Sequence, residues 1–111
     1  SALALDLMAL GAGLVADDRV ILTSTGGRLV ASCPPPLAGL IEARGLGLLN
    51  AIPAGPAPVV LALDLGAPET ERLPPRRSVT FGDIAVPLLH RPASGPMAAA
   101  ILHYVRFGRS Q

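Results

Sequence analysis

Proline and glycine punctuation constrains this chain more than any other feature. Twelve prolines and twelve glycines interrupt 111 residues, so regular elements must be short. Pro34, Pro35 and Pro36 break the chain outright, and Pro53, Pro56 and Pro58 fall within the uncharged stretch Gly45 to Leu63. Each proline in a helix interior removes a hydrogen bond and clashes with the preceding turn, which argues against a membrane-spanning helix there.

Between the breaks, the apolar spacing defines short elements. Leu3, Leu7 and Leu10 share one helical face, and Gly11 ends the helix. Leu14 to Ala16 reads as a buried strand ending at Asp17 and Asp18. Residues 19–24 and 28–32 form a hairpin across Thr25, Gly26 and Gly27. Leu37 to Arg44 is predicted as two helical turns stopped by Gly45, followed by a loop to Pro58. Val59 to Leu65 is predicted as a strand, and Glu69 to Arg77 as a polar linker. Val79 to Phe81 and Ile84 to Leu89 make a second hairpin across Gly82 and Asp83. Met97 to Phe107 closes the chain as a helix with Ile101, Leu102 and Val105 inward. The expectation is one mixed α/β domain over residues 1–111.

Half of the residues are hydrophobic, enough for a core, and the net charge is +1. That balance provides no basic field for nucleic acid or an anionic membrane. All nine basic residues are arginine, so a step needing an ammonium group must draw it from outside these residues. Cys33 is the single cysteine; no intrachain disulfide can form, and a reducing, cytoplasmic setting is expected. Residues 1–16 are apolar but carry Asp6 and no basic leader, a poor signal peptide.

Two features suggest chemistry. Ser1 opens a helix, as the hydroxyl residue after the lysine of a phosphate-binding loop does, although serine is also a favoured helix cap. The Asp17–Asp18 pair ends a strand, where alternation sends the two carboxylates to opposite faces and only one toward a substrate. A solvated turn is the bland alternative. His90 and His103 have no carboxylate or cysteine at ligand spacing and read as structural.

The run Gly11-Ala12-Gly13-Leu14-Val15-Ala16-Asp17-Asp18-Arg19-Val20 resembles the segment after the phosphate-binding loop of HPr kinase/phosphorylases. Ile41-Glu42-Ala43-Arg44-Gly45-Leu46-Gly47-Leu48-Leu49-Asn50 is similar to that family's signature segment, and Glu71-Arg72-Leu73 to its Asp-Arg-Leu. The resemblance runs in order over nearly the whole chain. It implies a mixed-sheet P-loop domain related to phosphoenolpyruvate carboxykinase, of the short alphaproteobacterial type, truncated at its N-terminus. The glycine-rich loop and its lysine would precede Ser1, and residues 1–111 alone are expected to bind nucleotide poorly.

By the same resemblance, the reaction is Mg-ATP-dependent phosphorylation of a serine on an HPr-type phosphocarrier protein in phosphotransferase-system regulation. Asp18 would be the base, and Arg72 would steady the phosphate. Ser1 and Glu42, with Asp17, would serve the magnesium ion, and Arg44, Gly45 and Gly47 would lie against nucleotide phosphate or partner. A hexamer is the implied assembly, and the closing helix with Arg106 and Arg109 part of the partner surface. Pro74 stands where the family has a glycine, and Arg91 is the one strong base in a stretch that the family keeps basic for the reverse, phosphorylase direction. Two alternatives stay open: an inactive HPr-binding module, and a small-molecule kinase.

Overall fold

The computed structural model describes residues 2–111; the site expectation placed on Ser1 lies outside them. The chain divides into two compact units, the first running to Pro58 and the second from Val59 to Gln111.

In the first unit, α1 (Ala2–Ala9) is followed by β1 (Ile21–Thr25), β2 (Arg28–Ser32), a 3₁₀ turn at Pro35–Leu37, β3 (Leu40–Ala43), β4 (Gly47–Asn50) and β5 (Ala57–Pro58). Helix α1 ends as its sequence predicts. The Ala12 N–H reaches the Leu7 carbonyl and the Gly11 N–H that of Met8, both at 3.0 Å, the paired bonds of a glycine-terminated helix. The predicted hairpin at Gly26–Gly27 is present as antiparallel β1 and β2, with β5 added on the far side of β2. Leu14, Leu29, Ile41 and Ala43 are the buried apolar residues of this unit.

The predicted helix from Leu37 to Arg44 is corrected: the segment is the first strand of a hairpin, with Leu40 paired to Asn50 and Ala43 to Gly47. Leu37, Leu40 and Ile41 fit helical spacing, yet Ile41 and Ala43 are buried while Glu42 between them is exposed, the period of a strand. Gly39 forces the chain out of any helix. Its φ is +73°, and a Cβ there would lie 2.8 Å from the Ala51 carbonyl oxygen. That close approach lets the Ala51 N–H bond the Gly39 carbonyl at 2.8 Å and close the ribbon.

The expected strand at Leu14 to Ala16 reduces to a single parallel bridge between Leu14 and Pro53. Asp17 and Asp18 therefore occupy a bend rather than a strand end.

The second unit comprises β6 (Ala62–Pro68), β7 (Arg77–Phe81), β8 (Ile84–Arg91) and α2 (Met97–Phe107). Its sheet order is β6-β8-β7, with β6 parallel and β7 antiparallel to β8. Strand β6 lies three residues later than Val59–Leu65. Its parallel partner sets the register, with Ala62 opposite Leu88 and Asp64 opposite His90. Helix α2 has its predicted bounds and buries Ile101, but Val105 is 50% and Phe107 74% exposed. The apolar stripe is left uncovered in the last turn, which corrects the expectation for Val105. No helix among the described residues is long and apolar enough to cross a membrane.

Candidate functional site

The first unit brings three of the expected site residues together. Asp17, Asp18 and Glu42 line one cleft of about 460 Å³, closed on its apolar side by Leu37, Leu40 and Leu48. The link is direct: the backbone N–H of Glu42 donates to Oδ2 of Asp17 at 2.8 Å. Glu42 stands opposite Leu48 in the ribbon, and its N–H is spent on Asp17 rather than on β4. The carboxylate thus satisfies an amide that a two-stranded ribbon leaves open, a charge-assisted bond stronger than a neutral one. Asp17 is half-buried and Asp18 exposed. Both face the same cleft, so the expectation that they point to opposite faces is corrected. It required a strand, and the backbone bends there.

The Glu42 side chain also borders a second cleft, of about 500 Å³, with Ala2 and Leu5 of α1 and with Arg44 and Leu46. The beginning of the first helix and the β3–β4 hairpin therefore meet across Glu42. Arg44, Gly45 and Leu46 form the hairpin loop, closed by the Leu46 N–H on the Ala43 carbonyl at 2.9 Å. Gly45 and Gly47 have φ of +89° and +128°, where L side chains are strained, and the space over both is open. Their requirement is thus conformational, and the bare backbone they leave is accessible to an incoming group.

Arg72 belongs to the second unit. It lies exposed on a bend, in the wall of a cavity of about 520 Å³ that also includes Glu69, His90, Tyr104 and Arg109. Arg72 makes no hydrogen bond or ion pair with another described residue. Glu69, within the segment read from sequence as a polar linker, is the carboxylate that sequence reasoning missed. Its side chain is 10% exposed, pairs with the Arg77 guanidinium, and accepts the N–H groups of Thr70 at 3.0 Å and Glu71 at 3.1 Å. The hydrogen bond from Arg77, above all, lowers its pKa from the ordinary 4.5 to about 2, against the opposing effect of desolvation. Arg77 lies eight residues on, beyond the reach of any local spacing rule.

The donors suit magnesium. They are carboxylate oxygens, and among the described residues no three of His, Cys, Asp and Glu converge to hold a metal by themselves. Carboxylate oxygens such as those of Asp17, Asp18 and Glu42 are the donors that a hard divalent cation prefers. Both histidines belong to the second unit. His90 lines the cavity with Arg72, and His103 stands on α2 with its ring 4.7 Å from that of Phe107.

No protein-family model matches the sequence. The chain is similar to the HPr kinase/phosphorylase of Bordetella pertussis, 53% identical over 51 residues, 45% of this chain and 17% of that protein. It is 53% identical over 51 residues to that of Nitrosomonas europaea, which is covered to 16%. The chain thus spans less than a fifth of the curated relatives it matches. The fold is similar to that of the Hpr(Ser) kinase/phosphatase from Coxiella burnetii. The TM-score is 0.81 at 27% identity, over 95% of this chain and 73% of that one.

Proposed function

We propose that this relative of the HPr kinase/phosphorylases, with their mixed α/β fold, is a Mg-ATP-dependent kinase that phosphorylates a serine of an HPr-type phosphocarrier protein. The observation that carries the reading is the Asp17–Glu42 hydrogen bond. It gathers the acidic pair and the ribbon carboxylate, 25 residues apart, into one cleft.

Asp18 acts as the base. It is exposed at the mouth of a partly apolar cleft and has no hydrogen-bond partner among the described residues, so its carboxylate is open to a seryl hydroxyl. It takes the hydroxyl proton as the oxygen attacks the terminal phosphorus of ATP, the bond to the bridging oxygen breaks, and ADP leaves. In the reverse direction, inorganic phosphate attacks the phosphorus of phosphoserine, pyrophosphate forms, and the seryl oxygen leaves with a proton from Asp18. Asp17 is held by the Glu42 amide and keeps the bend in place. Glu42 and Asp17, with Ser1, would hold magnesium, which when bound offsets the charge of the phosphates. The open backbone at Gly45 and Gly47, beside Arg44, receives phosphate oxygens, and Arg72 steadies the transferred group. The family resemblance extends the proposal to a P-loop, a homo-hexamer and a cytoplasmic protein.

The test is the protein as its gene encodes it, incubated with Mg-ATP and HPr from the same organism, with phosphoserine read by mass spectrometry. Phosphoserine on HPr supports the reading. Its absence with a folded protein moves the function to an HPr-binding module, or to a small-molecule kinase.

A further inference from the structure

The Glu69 side chain accepts four hydrogen bonds, two of them from the amides that lead into Arg72. Its carboxylate accepts the N–H groups of the two residues that lead into Arg72, and Arg77 of β7 pairs with both its oxygens. Its own N–H donates to the Arg91 carbonyl at 2.8 Å, tying the same point to the end of β8. On the far side of Arg72, the Arg109 guanidinium donates to the Pro74 carbonyl. The four residues from Thr70 to Leu73 are thus fastened at both ends. Glu69 is also the anion that a neighbouring arginine would otherwise seek. With its charge engaged by Arg77, the Arg72 guanidinium is left for an incoming anion.

We propose that Glu69, clasped by Arg77, is a positioning residue that fixes the bend carrying Arg72 and keeps Arg72 unpaired in the wall of the 520 Å³ cavity. The inference rests on the reading that Arg72 contacts phosphate.

Two measurements on the gene-encoded protein test it, one of them independent of activity. In native-state proteolysis, Glu69→Gln raises the rate of trypsin cleavage after Arg72 by about tenfold, because the local opening no longer breaks an ion pair. Cleavage after Arg106, in the same unit, keeps its wild-type rate. In the kinase assay, Glu69→Gln lowers kcat/KM by about tenfold through misplacement of the guanidinium. In an Arg72→Met background, the same change costs less than about twofold, since the group it positions is gone. Arg77→Met reproduces both results.

Independent, multiplying effects of Glu69→Gln and Arg72→Met would overturn the inference. So would unchanged cleavage after Arg72, or equal increases at Arg72 and Arg106, which mark a general loss of packing. Wild-type kinetics in Arg72→Met alone would instead remove the phosphate role of Arg72, and the inference with it.

Discussion

The amide of Glu42 and the carboxylate of Asp17 meet at 2.8 Å, and this one bond joins the bend after the first helix to the edge of the β3–β4 ribbon. It places Asp18 over the same cleft as Glu42, and it does so without using the Glu42 side chain. The Glu42 carboxylate, proposed to hold magnesium, and its structural amide are therefore separable.

Removing the acceptor should loosen the bend. Asp17→Ala is expected to lower stability by about 1–2 kcal/mol, the cost of a hydrogen bond to a charged group at a half-buried position. Urea denaturation with a wild-type m-value checks it. Asp17→Asn keeps an acceptor and should lose less.

Glu42→Gln leaves that amide in place, so the fold should be unchanged by circular dichroism and melting temperature. The magnesium needed for half-maximal phosphorylation is expected to rise by about tenfold, as one carboxylate leaves the donor set. A magnesium titration at saturating ATP measures it. An unchanged requirement would remove Glu42 from the ion's shell.

The hairpin at Gly26–Gly27, the one at Gly82–Asp83 and helix α2 were legible in the sequence because their signals are local: turn glycines between alternating strands, and Ile101, Leu102 and Val105 at helical spacing. The ribbon at Leu40 to Asn50 was not. Its Leu37, Leu40 and Ile41 fit a helix, and only pairing with a strand seven residues downstream makes Glu42 an exposed strand residue. Register from a parallel partner moved β6 for the same kind of reason. Asp17, Asp18 and Glu42 were nameable through resemblance, but their sharing of one cleft depends on contact across 25 residues. The Glu69–Arg77 pair spans a proline-containing turn and carries no periodic signal.

The lowered pKa of Glu69 gives a pH dependence with a definite sign. A carboxylate with an unfolded pKa near 4.5 and a folded pKa of about 2 stabilises the native state above pH 4.5. That contribution is lost as the pH falls from 4.5 toward 2. Glu69→Gln should therefore flatten this part of the stability profile while leaving the rest parallel to wild type. Thermal melts from pH 2 to pH 7 follow it. A profile with the same slope in both proteins would contradict the ion pair.

The most direct test of the central claim is phosphoserine formation on HPr by the gene-encoded protein with Asp18→Asn. The variant keeps the shape of the cleft and removes the base, so the rate is expected to fall by about 10²–10⁴-fold, the usual contribution of general base catalysis. Nucleotide affinity and melting temperature should stay at their wild-type values. A rate within twofold of wild type in a folded Asp18→Asn protein would contradict the assignment of this cleft as the site of phosphoryl transfer.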